Sequence, residues 1–482
     1  MKAILSSASQ PKELLYQSIA RTIEHQIDHE ILKIGEKLPS IRMICRQHGV
    51  SMSTAQQAYF DLERKSLIES KPQSGYYVAQ SLRKQLAIPS ISKPILKPQQ
   101  IKVDEIFAAL HDPKTLQDIT LFSIGTPAIE LLPIAKLNKA LLQSMRELPG
   151  SGTRYDSTQG NEKLRMQIAR WSFLWQGRLT PDDIITASGC ISSISLCLMS
   201  LTERGDTIAV ESPCFFGILQ LAQSLGLNVL ELPTHPQTGM DPEALKKTIQ
   251  QKKIKLVLLV SNFSNPLGSM MPDENKKAIV RLLSHHNIPL IEDDIYGELY
   301  FGKSRPTCCK TFDTSGHVLW CSSVSKTLAP GYRVGWIAPG KYKELILKKK
   351  LYHTLSSPSI NHETIAHFLE NGRYETHLRK LRNTLHTTYL NYVRVICESF
   401  PEGTRLSRPQ GGLSLWIELD KKINTIDLYH SAMKQKISIA PGNMFTLRDQ
   451  YKNCMRLAYG MTWSSALESK LRLLGKLVKG AF

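Results

Sequence analysis

The chain has 482 residues, 42% of them apolar, which is enough for two or three folding units with a sizeable core. No apolar run has the length of a membrane span and the N-terminus lacks a secretory signal, which argues for a cytoplasmic protein. The net charge of +19 is compatible with a polyanionic partner, and nine scattered cysteines without a CxxC pair argue against a disulfide framework or a structural zinc site.

The N-terminal zone, residues 12–79, alternates short helical patterns with a final strand pair. Predicted in chain order are a helix over 15–31, a helix over 41–48, a helix over 52–65, and a wing with strands at 67–69 and 76–78. Ser40 suits the N-cap of the second helix, and Gly49 offers the left-handed turn before the third. Helix, tight turn, helix and hairpin form the geometry by which a recognition helix enters the major groove.

Polar residues at the start of the third helix are the candidate base-reading groups, and nearby basic residues are candidate phosphate contacts. The candidates are Ser51, Ser53, Thr54 and Gln56 for the major groove, Arg42 and Arg64 for phosphates, and Gly75 of the wing for the minor groove. A small protein-interaction module would show similar short helices. The first 80 residues carry ten basic and eight acidic side chains, so we expect DNA affinity to depend on dimerisation.

The motif Gly-x-x-Leu-Pro-Ser-x-Arg, from Gly35 to Arg42, is followed by Val-Ser-x-x-Thr, Ala-Tyr, Leu-Glu and the wing glycine. This pattern resembles the GntR family of winged helix-turn-helix regulators over the whole zone. The resemblance implies a double-stranded DNA operator as partner. One departure is Met52, where many relatives have arginine, and its effect falls on operator preference.

Residues 80–115 contain several prolines and predict an extended linker. From 116 to 482, short apolar strands alternate with helical stretches, which predicts a largely parallel α/β sheet. The predicted strands are Ile184 to Ala187, Thr207 to Val210, Leu256 to Val260, Pro289 to Glu292 and Val318 to Ser322.

The chemistry of this large domain centres on Lys326, which follows a predicted strand and precedes a glycine-rich turn. Such a lysine can form a Schiff base with the aldehyde of pyridoxal 5'-phosphate, and Ser323, Ser325 and Arg333 can hold the phosphate. By itself, a lysine in this setting is more often an ordinary loop residue. Further residues at strand ends strengthen the hypothesis.

These further residues share a position after a strand, where open parallel sheets bind ligands. Asp293 is expected to pair with the pyridine nitrogen, and Tyr296 and Asn265 to reach the ring hydroxyl. Phe215 offers a face for ring stacking. The backbone N–H groups at the start of a helix are expected to bind the phosphate, from the segment Ser188, Gly189, Cys190 and Ile191.

The order of these residues resembles fold-type-I aminotransferases from about residue 118 to the end. The resemblance implies a mixed, mostly parallel sheet with a small C-terminal α+β subdomain. It implies that Tyr155 reaches the phosphate in the partner subunit of a homodimer, and that Arg456 grips a ligand carboxylate. Phe215 stands where Tyr or Trp is usual, and Cys190-Ile191 replaces more polar residues, so the phosphate contacts expected at that position are those of the backbone.

A GntR-type reader fused to an aminotransferase-like domain resembles the MocR subfamily. The resemblance implies a pyridoxal-phosphate-dependent regulator that senses an amino compound or a cofactor vitamer. Two alternatives stay open at this point. One is a working aminotransferase that carries a DNA-binding module, and the other is a DNA-binding protein whose large domain is only a dimerisation scaffold.

Overall fold

A computed structural model describes residues 15–29, 31–33, 35–65, 67–71, 74–79, 86–94, 118–370 and 372–480. The side chains of Arg64 and Lys71 lie outside the described part, and so does the predicted linker apart from residues 86–94. The chain divides into two units, a small N-terminal one that ends at Gln85 and also takes in Val393–Glu398, and a large one formed by the rest of the chain from Leu86. Among the described helices, none has both the length and the apolar character needed to cross a bilayer.

The small unit is a three-helix module followed by a hairpin. Its elements are α1 (Leu15–Asp28), α2 (Ile41–His48), α3 (Met52–Arg64), β1 (Ile68–Lys71) and β2 (Gly75–Val78). The predicted caps are confirmed, since the Ser40 hydroxyl accepts from the Met43 amide at 3.2 Å and Gly49 has φ +62°. The first helix ends at Asp28, three residues earlier than predicted. The helix-turn-helix and its wing are therefore present as the sequence indicates.

A compact apolar core holds this unit together. The stripe predicted on α3 is fully buried, namely Ala55, Ala58, Tyr59 and Leu62, and it packs with α1 through residues that include Ile19 and Ile23. The Tyr59 hydroxyl donates to the Pro39 carbonyl at 2.5 Å. The wing pairs antiparallel, with Ile68 opposite Val78. The core fixes which face of α3 is left for solvent.

The large unit alternates strands and helices. Its strands are β3 (Thr120–Leu121), β4 (Ile185–Ala187), β5 (Thr207–Ser212), β6 (Asn228–His235), β7 (Gly239–Met240), β8 (Leu256–Leu259), β9 (Leu290–Asp293), β10 (Val318–Ser323), β11 (Gly335–Ala338), β12 (Arg405–Leu406), β13 (Ser414–Glu418), β14 (Ile437–Ser438), β15 (Ala440–Pro441) and β16 (Cys454–Ala458). Its helices are α4 (Ile134–Glu147), α5 (Glu162–Ser172), α6 (Cys190–Leu201), α7 (Phe216–Ser224), α8 (Pro242–Gln251), α9 (Asp273–His285), α10 (Lys343–Thr354), α11 (Ser359–Glu370), α12 (Arg373–Ser399), α13 (Thr425–Lys434) and α14 (Ser465–Lys479). All five predicted strands are confirmed, with ends shifted by one or two residues.

Eight strands form the main sheet in the order β4-β11-β10-β9-β8-β5-β6-β7. The pairs β10–β9, β9–β8, β8–β5 and β5–β6 are parallel, and β11 is antiparallel to both its neighbours. Buried strands such as Leu256–Leu259 are apolar throughout because helices cover both faces. A second, antiparallel sheet of β12, β13, β16 and β15 belongs to the C-terminal part. The fold is the predicted α/β class with a small α+β subdomain.

Residues 86–94 of the predicted linker are extended and held against the rest of the large unit. The Ser90 hydroxyl donates to Glu418 Oε1 at 2.8 Å, and the Thr234 amide donates to the Ser92 hydroxyl at 2.9 Å. The Leu406 amide donates to the Ala87 carbonyl at 2.8 Å. The domain boundaries themselves stay predictions.

The turn between α2 and α3 offers a test of the small unit. We expect Gly49→Ala to destabilise the unit by about 1–2 kcal/mol, because a Cβ is strained at this positive φ. Gly49→Asn is the matched control, since asparagine tolerates the left-handed region. Hydrogen exchange followed by mass spectrometry over residues 40–64 should show lost protection in the alanine variant and less loss in the asparagine variant. Equal protection in all three proteins would contradict this account of the turn.

Candidate functional site

Most of the predicted site residues of the large unit lie along one edge of the main sheet. Lys326 follows β10, Asp293 ends β9, and Asn265 follows β8. Ser188 follows β4, and Phe215 follows β5. These strands share one direction, so their carboxyl ends meet at the same edge, where open α/β sheets bind ligands.

Asp293 is a buried carboxylate at the centre of this edge. Its Oδ1 accepts from the Cys190 thiol at 3.2 Å and from the Ile295 amide at 3.1 Å. Burial raises the pKa of Asp293 to about 6, against the lowering effect of these hydrogen bonds. The Cys190 side chain therefore points at Asp293, so its predicted place in a phosphate site rests on its backbone N–H. A carboxylate in this position can pair with a protonated aromatic nitrogen and keep the proton on that nitrogen.

Lys326 is the amine of this pocket. Burial, with the neighbouring Arg456 guanidinium, lowers the pKa of Lys326 to about 8, while the Asp293 carboxylate acts in the opposite direction. At a pKa of about 8 the amine is partly unprotonated at neutral pH and mostly unprotonated above pH 8, and the unprotonated amine is the nucleophile. Shielding from water therefore favours the neutral amine of Lys326, which is the form that reacts with an aldehyde.

A cradle for an anion lies beside Lys326, at the start of α6. Arg333 Nη2 donates to the Ser188 carbonyl at 3.2 Å, and Arg333 Nη1 donates to the Ser325 hydroxyl at 3.4 Å. A Cβ on Gly189 would lie 2.4 Å from Arg333 Nη2, so only glycine admits the guanidinium here. The Ser323 hydroxyl, buried nearby, accepts from the Ser325 amide at 3.2 Å. A helix N-terminus with hydroxyls and an arginine suits a phosphate.

Arg456 enters the same pocket from β16 of the small subdomain, and it is 2% exposed. Nη1 donates to Asn265 Oδ1 at 3.3 Å, Nη2 donates to the Ser123 carbonyl, and Nε has no partner in the described structure. Burial lowers the pKa of Arg456 to about 10. A buried guanidinium held by neutral groups can accept a carboxylate from a ligand.

Asn265 and Tyr296, the two residues predicted to reach the ring hydroxyl, are hydrogen-bonded to each other. The Asn265 amide donates to the Tyr296 hydroxyl at 3.3 Å, and burial raises the pKa of Tyr296 to about 12. The Phe215 ring lies 4.6 Å from that of Phe216 at the start of α7. Tyr296 therefore stays a neutral hydrogen-bonding phenol over the physiological range.

Two predicted residues point away from the pocket of their own chain. Tyr155 is 83% exposed, and Ile191 is 39% exposed on the first turn of α6. The exposure of Tyr155 suits a residue that acts on another copy of the chain. Ile191 contributes at most its backbone to a phosphate site.

Glu211 of β5 is a polar pocket residue that sequence reasoning missed. It is buried, Oε2 accepts from the Val260 amide at 2.9 Å, and burial raises its pKa to about 8. The nearby Asp293 carboxylate adds to this rise in the pKa of Glu211. The sequence signal that could have identified Glu211 is a carboxyl group directly after the apolar strand segment 208–210.

In the small unit, the predicted DNA contacts cluster at the start of α3. Ser51 is the N-cap, and its hydroxyl accepts from the Thr54 amide at 3.2 Å and lies 2.8 Å from the Ser53 hydroxyl. Gln56 and Arg42 are exposed, as is Gly75 at the wing. The Arg64 side chain lies outside the described part of the chain. Ser51 therefore shapes the helix end, and its neighbours face solvent.

Comparison with known families decides what these two units are. Residues 15–78 match the bacterial regulatory proteins of the gntR family, and residues 117–467 match the aminotransferase class I and II family. The chain belongs to the MocR subfamily of GntR regulators. It is a DNA-binding regulator with an aminotransferase-like domain, and GntR-type readers bind DNA operators.

Two relatives share this architecture over nearly their whole length. The chain is 36% identical to the uncharacterized HTH-type transcriptional regulator YjiR of Escherichia coli (strain K12), over 96% of this chain and 98% of that protein. It is 34% identical to the uncharacterized HTH-type transcriptional regulator YdcR of the same organism, over 96% and 99%.

Solved structures match the large unit of this MocR-type regulator. Kynurenine aminotransferase of Pyrococcus horikoshii, in complex with PMP, matches 79% of this chain and 95% of its own, with a TM-score of 0.73 and 25% identity. LysN of Thermus thermophilus, an alpha-aminoadipate aminotransferase complexed with N-(5'-phosphopyridoxyl)-L-leucine, matches 79% and 97%, with a TM-score of 0.72 and 24% identity. The cradle at Gly189, the half-buried Lys326 and the buried Asp293 fit the same cofactor class, so the domain is of the pyridoxal phosphate type.

The environment of Lys326 predicts how the cofactor loads. Only the unprotonated amine attacks an aldehyde, so the rate at which apo-protein takes up pyridoxal phosphate should rise through about pH 8 rather than near 10.5. Arg456→Gln should move this rise to higher pH, because a neighbouring cation is removed, and Arg204→Gln on the surface should not. Growth of the visible absorbance of bound cofactor is the measurement. A wild-type rise only near the ordinary lysine value, or no shift with Arg456→Gln, would contradict the argument.

Proposed function

We propose that this protein is a regulator whose large domain senses an amino compound, or a vitamer of the cofactor, through pyridoxal phosphate. The observation that carries the proposal is that the half-buried Lys326 lies in one pocket with the buried Asp293 and Arg456, in a chain that also has a DNA reader. A domain that served only as a dimerisation scaffold would not need these three side chains together. A cytoplasmic location is part of the proposal.

The residues that would hold the cofactor come from five strand ends. Pyridoxal phosphate supplies an aldehyde that condenses with a primary amine and a ring that withdraws electrons. Lys326 would supply the protein's own amine, and Asp293 would keep a proton on the ring nitrogen. Asn265 and Tyr296 would hydrogen-bond the ring hydroxyl, and Phe215 would offer a face for ring stacking. The residues that would hold the phosphate are Ser188, Gly189, Cys190, Ile191, Ser323, Ser325 and Arg333, with Tyr155 of the second subunit.

The effector that suits this pocket carries an amino group and, for the tightest fit, a carboxylate. Arg456 Nε is buried without a partner in the described structure, and the other nitrogens bind only neutral oxygens. A carboxylate there would satisfy the guanidinium and restore charge balance. The effector's amine would take the place of the Lys326 amine, which then becomes free to hold a proton.

Regulation requires that the protein has two arrangements and that the effector binds one of them more tightly than the other. An effector shifts such an equilibrium only through its differential affinity. We propose a homodimer, which presents two readers to the two half-sites of an operator. In the reader, Ser53, Thr54 and Gln56 contact bases after Ser51 has capped the helix, Arg42 and Arg64 contact phosphates, and Gly75 of the wing lies in the minor groove.

A second candidate function is transamination by the same pocket. Lys326, Asp293, Tyr296 and Arg456 are all in place, and the solved structures that match this unit include a named kynurenine aminotransferase. An active aminotransferase would turn over amino donors, and its DNA binding would be indifferent to the ligand.

The deciding variant is Lys326→Ala. We expect the purified wild-type protein to show the visible absorbance band of bound cofactor, and the variant to lack it. An added amine that changes this band should also change the mobility of operator DNA in the wild-type protein and not in the variant. Gel-shift assays with each protein, with and without the amine, are the measurement.

Two outcomes would overturn the sensor. No band after addition of cofactor would remove the pyridoxal phosphate role and leave a scaffold. A band with brisk amino-group transfer, together with DNA binding that ignores the amine, would leave an enzyme with an attached reader.

The shared pocket is tested by mixing subunits. Tyr155→Ala alone and Lys326→Ala alone should each weaken cofactor binding at both pockets. A heterodimer that carries one variant in each subunit should regain one intact pocket, because one subunit supplies Lys326 and the other supplies Tyr155. Cofactor content per purified heterodimer is the readout. Equal content in the heterodimer and in the two mutant homodimers would show that Tyr155 does not act across subunits.

A further inference from the structure

A second cluster of ligating side chains lies in the large unit, on elements that the cofactor pocket does not use. Glu147 ends α4, and Glu363 and His367 lie one turn apart on α11. Their ligand atoms all lie within 4.8 Å of one another. His367 Nε2 is 3.0 Å from Glu147 Oε2 and 3.4 Å from Glu363 Oε1. Two carboxylates and an imidazole therefore converge on one point.

His367 gives the independent sign that a ligand is missing at this point. The residue is 5% exposed, and neither ring nitrogen has a hydrogen-bond partner in the described structure. The short separation from Glu147 does not have hydrogen-bond geometry, although Nε2 faces both carboxylates. A buried polar nitrogen left unsatisfied costs about 1–3 kcal/mol. A cation at the centre would accept the nitrogen lone pair and remove this penalty.

The far side of each ligand is already oriented by a neighbour. Glu147 Oε1 accepts from the Gln143 amide at 2.9 Å, and Glu363 Oε2 accepts from the Asn161 amide at 2.7 Å. These bonds leave Glu147 Oε2 and Glu363 Oε1 aimed inward. His367 Nδ1 is 3.7 Å from Glu370 Oε2, which can approach as its carboxylate partner. Amides and a carboxylate behind the ligands are the usual outer partners of a metal site.

The spacing suits a small divalent ion. With metal–ligand bonds of about 2.0–2.1 Å, neighbouring ligand atoms lie about 3.3 Å apart in a tetrahedron and about 3.0 Å apart in an octahedron. The distances from His367 Nε2 to Glu147 Oε2 and to Glu363 Oε1, 3.0 and 3.4 Å, lie close to these values. Imidazole with carboxylates favours a transition metal over Mg²⁺ or Ca²⁺, which prefer all-oxygen ligands.

Lys163 is the competitor for this point. Its Nζ lies 2.7 Å from Glu363 Oε1 and 3.3 Å from Glu147 Oε2. Its side chain is 54% exposed, so it can swing into solvent without opening the core. An ion-pair cluster closed by Lys163 is the alternative interpretation, but it leaves His367 unsatisfied.

We propose that Glu147, Glu363 and His367 form a divalent transition-metal site, best suited to Zn²⁺, that fills when Lys163 swings away. Water completes the coordination on the exposed side. The site uses no cysteine, so the absence of paired cysteines in the sequence does not bear on it. A bound ion would tie the end of α4 to α11, whose first hydroxyl, that of Ser359, donates to the Arg154 carbonyl next to Tyr155.

The test is a titration of the full-length, cofactor-loaded protein, first freed of metal with a chelator, with Co²⁺ followed by displacement with Zn²⁺. We expect d–d absorbance bands in the wild-type protein. His367→Gln should lose them, and Asn161→Ala should weaken binding about 10–100-fold as an outer partner. Lys163→Gln should tighten binding, because the competing cation is gone. Lys246→Gln, an exposed lysine on α8, is the control for charge removal and should leave binding unchanged.

The Lys163 variant should raise the metal affinity and the His367 variant should lower it. The test therefore stays decisive if one of the two variants folds poorly. Binding that survives His367→Gln would place the metal on other groups, such as thiols or the cofactor, and overturn the proposal. Equal affinity in the wild-type, Lys163→Gln and Lys246→Gln proteins would do the same, since it would leave the cluster as a plain ion-pair network.

Discussion

The shielding of Lys326 and Asp293 at one edge of the main sheet, with the buried Arg456 brought in from β16, is the constraint on which the pocket of the large unit depends. Burial alone would drive each group toward its neutral form, and the pKa values of all three move in that direction. The Asp293 carboxylate partly offsets the desolvation of Lys326. The charged groups of pyridoxal phosphate would complement this pocket, and in the proposed sensor a carboxylate of the effector would balance Arg456.

The sheet makes this burial possible. Parallel strands end at one edge, and helices over both faces keep water from the strands below. The Cys190 thiol adds a detail of this chain, since it donates to Asp293 from the first residue of α6. Because the Cys190 side chain is directed at Asp293, a phosphate at this helix start would be held by backbone N–H groups, by serines and by Arg333.

The small unit works on a different principle. Its core is a short apolar contact between α1 and α3, and its caps define where each helix begins. Because Ser51 is committed to capping α3, the side chains that follow it are presented to solvent in a fixed register. The net charge of this zone is small, so in the proposed homodimer the two readers would add their contacts on one operator.

The sequence by itself determined the architecture and most of the pocket. Strand positions, helix caps and the residues after each strand follow from local patterns, and parallel strands then bring their carboxyl ends together. Only the tertiary structure decided where Cys190 points, that Glu211 is a buried acid beside Asp293, and that Glu147 meets Glu363 and His367. These contacts join groups that share no local pattern, as the 103 positions between Cys190 and Asp293 illustrate. Their chemistry depends on packing and burial, which no sequence window contains.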